Sequence, residues 1–369
     1  MFEHDYGLAD RLLHRLALGS RSMLELSFDL DQKASGAAGC VDAVAQGEHV
    51  FVTGLARAGT TILLRHFHDS GCFRSLTYRD MPFPLAPNLW KRASARWRQR
   101  RDGQQRAHGD GISVDADSPE ALEEVFWRVQ SGDEYLRRDG LRPHWPEGRV
   151  LELFRRYVAA ILASSETGVG AGRARYLSKN NNNILRLPAL QEAFPAAWFV
   201  IPFRHPAAHA LSLWQQHRHF CAMQKEQPFV RSYMDWLAHH EFGQGHRPFL
   251  MDGGPAQGLT PDMPDYWLDM WIGVHRTLAA QCHERSLLVC HETLCADPGV
   301  WWALVDRLGL PEQNPARFRM KDGPRAPLFD AARLAKAEVL YGELRANAVQ
   351  GDGQRAAFWA LMKNTGRAM

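Results

Sequence analysis

Short apolar runs alternate with longer segments of helical spacing along this chain. His49–Leu55 (HVFVTGL) and Trp198–Arg204 (WFVIPFR) are compact and rich in β-formers, and Ser286–Leu294 (SLLVCHETL) is a third such run. Arg175–Asn180 (RYLSKN) reads as a strand running into a loop. Runs of this kind suit strands covered on both faces. Helical spacing marks residues 4–30, where Leu12, Leu13, Leu16 and Leu18 recur near one face, and residues 60–71, which end at Gly71 as a C-cap. Further helices are predicted over 150–164, 183–194, 264–285, 298–309 and 329–347, and over 205–220 with Pro206 in its first turn. Ser118-Pro119-Glu120 has the form of a helix start, and Glu120, Glu123 and Glu124 read as solvated acids favoured at its positive end. Gly36–Gly39, residues 82–112 and Gly168–Gly172 read as irregular. Strands alternating with helices predict an α/β fold of three layers, α/β/α, around a central parallel sheet. No linker or repeat divides the chain, so one domain over 1–369 is expected, with 1–48 a helical extension and 84–112 a mobile substrate loop.

Composition narrows the classes. Apolar residues at 45% allow a sizeable core, and 23% charged residues exclude global disorder. A net charge of +3 does not describe a general nucleic-acid binder. The N-terminus carries acids and histidine instead of an uninterrupted apolar stretch, and no run is long enough to cross a membrane. The six cysteines are scattered without a CxxC pair, which fits free thiols in a cytoplasmic protein and gives no zinc spacing.

The chemistry gathers at Thr53-Gly54-Leu55-Ala56-Arg57-Ala58-Gly59-Thr60-Thr61, a strand leading through a glycine-punctuated loop into a helix. Backbone N–H groups at such a helix start form an anion site. The Gly54–Gly59 spacing matches a nucleotide-triphosphate P-loop, but the lysine that should follow is Thr60, and the cation lies inside the loop as Arg57. In this the segment resembles the PAPS-dependent sulfotransferases (PAPS is 3′-phosphoadenosine 5′-phosphosulfate), which carry a basic residue two before the glycine and then Thr-Thr. The resemblance implies that Arg57, Ala58, Gly59, Thr60 and Thr61 hold the 5′-phosphosulfate. The same family binds the 3′-phosphate with an arginine at a strand end and a serine eight residues on, a pattern met by Arg204 and Ser212. A guanidinium grips a phosphate dianion with paired hydrogen bonds. The resemblance, over about residues 49–345, further implies a structural role for Glu292 and places Lys321 and Arg325 in a basic loop over the nucleotide.

An acceptor hydroxyl needs a base, because its pKa lies well above neutrality. Related heparan-sulfate enzymes place a glutamate about twenty residues after the loop glycine. That register falls on Asp80, whose plain alternative is a turn cap or a pair with Arg79. His108 and Asp110, in a glycine-bracketed loop, are the rival substrate-side candidates, and an ordinary turn is their plain alternative. Lys179, at the end of a mid-chain strand, corresponds to a family lysine facing the transferred group. Between Lys91 and Arg106 lie five further arginines, with Asp102 the only acid and Trp90 and Trp97 nearby. The stretch reads either as a lid that attracts an anionic acceptor or as a solvated helix face.

The expectation is therefore sulfuryl transfer from PAPS to a hydroxyl or amine of a carbohydrate or small metabolite, with release of PAP. Asp80 would act as base, while Arg57 and Lys179 would balance charge. No metal is expected, since the loop supplies its own positive field. A P-loop NTP kinase or NTPase and a non-catalytic PAP- or PAPS-binding protein are the alternatives.

Overall fold

The computed structural model describes residues 7–95, 104–105, 113–114, 121–164, 174–311, 318–320 and 328–351. It begins with helices α1 (Leu8–Gly19), α2 (Arg21–Ser35) and α3 (Val41–Ala45). The single helix expected over 4–30 is thus two. Ser20 leaves helical geometry at φ −110° and ψ 121°, and its hydroxyl accepts the Met23 N–H to start α2. Strand β1 (Val50–Val52) leads into α4 (Thr60–His68), then β2 (Phe73–Arg74) and α5 (Pro87–Ser94).

Helix α5 corrects the irregular reading of 84–94. Its start is built from another element: the fully buried Asp31 of α2 accepts Asn88 Nδ2 at 2.9 Å and the Leu89 N–H at 2.8 Å. A carboxylate across a helix N-terminus supplies the cap its own sequence lacks. Residues 104–105 (β3) and 113–114 (β4) form an antiparallel pair.

The chain continues through α6 (Glu124–Tyr135), α7 (Gly148–Ala163), β5 (Arg175–Lys179), α8 (Leu187–Ala193), β6 (Trp198–Phe203), α9 (Pro206–Glu226), α10 (Pro228–Trp236) and α11 (Pro264–Gln281). It ends with β7 (Ser286–Cys290), α12 (His291–Ala296), α13 (Pro298–Arg307) and α14 (Ala331–Ala346).

Among the described residues the main sheet has the order β2-β5-β1-β6-β7, with every pairing parallel. Side chains alternate across it. Phe51, Tyr176, Phe199 and Ile201 join a core with α7, α8, α9 and α11. Val50, Val52, Leu177, Val200 and Val289 join a second core with α4 and α13. This is the three-layer α/β/α fold, and the absence of polar alternation in the strands follows from burial on both faces. Among the described residues no helix is long and apolar enough to cross a membrane.

Candidate functional site

The C-terminal ends of β1, β5 and β6 are tied together. The Thr53 N–H donates to the Val200 carbonyl at 3.0 Å, and Thr53 Oγ1 donates to the Asn180 carbonyl at 3.1 Å. Ligands of open parallel sheets bind at this edge. From here the chain enters the loop 53–59. A Cβ on Gly54 would lie 3.0 Å from the Pro202 carbonyl oxygen, and Gly59 has φ 98°, so glycine is required at both. Arg57 itself takes φ 70°. Non-glycine residues held there mark sites where surrounding structure fixes the backbone.

His209 supports the loop from α9, with Nε2 2.8 Å from the Ala56 carbonyl. Burial, then neighbouring His275, pushes His209 well below its ordinary pKa, so it is the neutral ring that donates. Helix α4 then starts, its first intrahelical bond running from Leu63 N–H to the Gly59 carbonyl at 3.2 Å. The amides before it lie at the positive helix end.

The distant residues of the sequence reading meet at this loop. Arg57 Nε donates to Ser212 Oγ at 3.3 Å, and Arg204 Nη1 donates to the Arg57 carbonyl at 3.3 Å. Burial lowers the Arg204 pKa, opposed by the Glu292 carboxylate. Arg204 Nε is buried with no hydrogen-bond partner among the described residues. Glu292 accepts the His205 N–H at 3.0 Å and the Tyr341 hydroxyl at 3.2 Å, bracing the turn that follows Arg204. His291 of α12 lies against Gly59, its Nδ1 3.3 Å from where a Cβ would stand. Burial and then Arg204 lower its pKa to about 4, so it adds no charge.

Beside the loop is a cavity of about 110 Å³. Ala56, Arg57, Thr60 and Thr61 line one side, and Lys179, Asn180 and Asn181 the strand end. Opposite them the described lining is Ala121, Gln216, Phe220, Met234, His239, Glu241 and Phe242. Arg57, Thr60, Thr61 and Lys179 are thus brought to one place.

Asp80 is placed elsewhere in the polar framework. Its carboxylate accepts Arg74 Nη2 at 3.0 Å, the Thr77 N–H at 2.8 Å and the Thr77 hydroxyl at 3.3 Å, closing a reciprocal cap on the turn Tyr78–Asp80. Its ion partner is Arg74 and not the Arg79 considered from sequence, and Asp80 is not among the residues lining the cavity. Lys91 Nζ donates to the Ser164 carbonyl at the end of α7, and Arg92 Nη2 to the Ala34 carbonyl at the end of α2. The first two cations of the basic stretch therefore cap helix C-termini. His108, Asp110, Lys321 and Arg325 lie outside the described residues.

The reading of Glu123 and Glu124 as solvated helix-start acids is overturned: they are 2% and 1% exposed. Glu123 accepts Trp127 Nε1, the Tyr176 and Ser178 hydroxyls, and the Asn180 and Asn183 amides. Glu124 accepts the Tyr135 hydroxyl, Asn180 Nδ2 at 2.7 Å and both terminal nitrogens of Arg186 at 2.9 and 3.0 Å. Arg186, fully buried, lies between the rings of Trp127 and Tyr135, 4.6 and 4.8 Å from their centroids. Burial would raise the Glu124 pKa, but Arg186 and these hydrogen bonds hold it below the ordinary value. The helix-start signal at Ser118-Pro119-Glu120 assigns the acids to a helix tip, whereas tertiary pairing decides their burial.

The sulfotransferase family matches residues 49–248, from β1 through the segment after α10. The chain belongs to the sulfotransferase family. Among solved structures it is similar to sulfotransferase STF1 of Mycobacterium tuberculosis, with 18% identity, 82% of this chain and 78% of that one covered, and a TM-score of 0.48. It is also similar to sulfotransferase STF9 of Mycobacterium avium, with 15% identity, coverage of 89% and 75%, and a TM-score of 0.42. No curated protein matches the chain significantly.

Proposed function

We propose that this chain transfers a sulfuryl group from PAPS to a small acceptor. The observation that carries the reading is the meeting of Arg57, Arg204 and Ser212 at a helix-start loop, with Arg204 Nε buried and unpartnered among the described residues. A buried guanidinium atom without an acceptor is costly unless a ligand supplies one. The 3′-phosphate of the donor fits that need, with Ser212 beside it. Thr60, Thr61 and the amides of 57–61 suit the 5′-phosphate, and Lys321 and Arg325 remain the residues assigned to the nucleotide by family resemblance.

In the reaction the acceptor oxygen attacks sulfur in line with the bond to the 5′-phosphate. Arg57, Lys179 and the helix-start amides stabilise negative charge gathering on the departing phosphate oxygen. The acceptor oxygen enters from the cavity side, where Lys179 and Thr61 line the same cavity as residues of α9 and the 239–242 segment.

PAP is expected to bind about 10- to 150-fold more tightly than ADP, the worth of a charge-assisted phosphate contact. Arg204→Met should remove most of that preference. Calorimetry giving PAP and ADP equal affinity would sink the donor assignment. Because the positive field comes from side chains and amides, transfer is expected to persist in excess EDTA. A turnover assay in which chelation abolishes transfer and Mg²⁺ restores it would reject this charge scheme.

A further inference from the structure

Two buried polar atoms in the cavity have no hydrogen-bond partner among the described residues: Gln216 Nε2 and Asn181 Oδ1. Gln216 is 9% exposed and Asn181 6%. One is a donor and the other an acceptor, and buried groups of this kind are ordinarily satisfied. A hydroxyl offers both complements, an oxygen that accepts and a hydrogen that it donates. Asn181 is held by its other end, Nδ2 donating to Glu241 Oε1 at 3.0 Å.

His239 lines the same cavity, and its chemical form follows from its partner. Ring Nε2 lies 3.0 Å from the Ala121 carbonyl oxygen. A carbonyl can only accept, so Nε2 carries a hydrogen, and in the neutral ring Nδ1 has the lone pair. Nδ1 makes no hydrogen bond among the described residues and is not among the buried unsatisfied atoms. In the neutral ring it can accept a proton, and His239 lines the cavity.

Among the described residues part of the remaining lining is apolar, beside the polar Lys179, Asn180 and Glu241. Phe220, Met234 and Phe242 form this apolar wall, and the two phenylalanine rings are parallel, with centroids 6.1 Å apart. Trp267 backs Phe242 with its centroid 6.1 Å away. A sugar ring, polar around its whole edge, would leave hydroxyls unpaired against this wall. An aromatic ring bearing one hydroxyl leaves none unpaired.

Building on the sulfotransferase reading above, we propose that the acceptor is a phenol-like hydroxyl on a compact apolar ring, and that His239 takes its proton. The hydroxyl oxygen accepts from Gln216 Nε2 and attacks sulfur. Its hydrogen, shared between Asn181 Oδ1 and His239 Nδ1 while the acceptor is bound, passes to His239 Nδ1 as the O–S bond forms. The bond from sulfur to the donor's phosphate oxygen breaks, and that oxygen keeps the electron pair and leaves as PAP. Glu241, tied to Asn181, holds the amide that frames the hydroxyl.

The test uses the full chain with PAPS and two probe phenols, 2-naphthol and the more acidic 4-nitrophenol, with glucosamine as the polar comparison. Wild type should sulfate both phenols and leave glucosamine unmodified. His239→Gln keeps a donor for the Ala121 carbonyl and removes the lone pair. It should lower kcat on 2-naphthol by about 10²- to 10⁴-fold with KM little changed. The loss should shrink on 4-nitrophenol, which ionises without help, and added imidazole should restore part of the rate. Gln216→Leu should weaken 2-naphthol binding to the PAP-loaded chain by about 2- to 12-fold, read by naphthol fluorescence. Near-normal turnover of 2-naphthol by His239→Gln overturns the base. A loss in Glu241→Gln with none in His239→Gln moves the proton to Glu241. A chain that binds PAP but sulfates glucosamine, or neither phenol, overturns the acceptor class. Failure to bind PAP is read separately and counts against the donor reading.

Discussion

Arg186→Met is expected to destabilise the fold by about 3–5 kcal/mol, because it strands the Glu124 carboxylate in the interior. The pair is fully buried, with Arg186 0% and Glu124 1% exposed, and no solvent is at hand to replace the lost contacts. Methionine fills much of the volume between Trp127 and Tyr135 but gives the carboxylate no donor. Changing both partners, with Arg186→Met and Glu124→Leu, should recover a large part of the loss, since a matched apolar pair often replaces a buried ion pair at little cost. Asn180, which donates to both Glu123 and Glu124, limits that recovery. Urea titrations of the single and double variants give the comparison.

The pH dependence has a definite sign. The folded Glu124 pKa is depressed, so its contribution is complete above the ordinary carboxylate range, near about 4.3, and is lost as pH falls through the depressed value. In Arg186→Met burial instead favours the protonated acid. The gap between wild type and variant should therefore narrow as pH falls. A gap that is flat across that range would mean that Glu124 is not the stranded charge.

Asp80→Ala is expected to cost about 3–5 kcal/mol as well, by breaking the pair with Arg74 and removing the cap on Thr77. Asp80 is 5% exposed and Arg74 14%, and Ser164 holds the same guanidinium at 3.1 Å. Asp80→Asn should cost less, because the amide oxygen still accepts the Thr77 N–H. Its turnover per folded molecule should stay within about twofold of wild type, far from the 10²- to 10⁴-fold loss of a general base. If Asp80→Asn shows that larger loss while stability and PAP affinity hold, Asp80 is the base after all, and its bonds to Arg74 and Thr77 orient it for that task.

The contrast between Asp80 and Arg204 shows what a single sequence reveals. Arg204 was legible because a strand of unbroken apolar residues ends on it and Pro206 starts a helix, two local signals that fix its address. The loop at Gly54 and Gly59 was legible for the same reason. Asp80 sits in a segment without periodicity, where a register counted from Gly59 has no local feature to check it, and its ion partner Arg74 lies six residues earlier. Helix α5 was missed because its cap, Asp31, lies on another helix. Glu123 and Glu124 were misread because their partners come from β5 and from Asn180–Arg186. The cavity lining is partly patterned: Gln216 and Phe220 stand four residues apart on the helix predicted over 205–220. His239 and Glu241 follow α10 in a segment with no pattern to flag them.

The central place of β1 has a consequence for biosynthesis. Val50 lies opposite Leu177 on one side and Trp198 on the other, so β1 pairs with no strand made near it in time. At elongation rates of about 5–20 residues per second, the ribosome spends roughly 8–30 s between finishing β1 and finishing β6. Until β5 emerges Phe51 and the apolar face of α4 have no sheet to cover, and only with β6 does the loop that follows β1 gain neighbouring strand ends on both sides. The nascent chain thus carries the 53–59 loop early and acquires the fold around it late, which lengthens the time its apolar segments stay uncovered during synthesis.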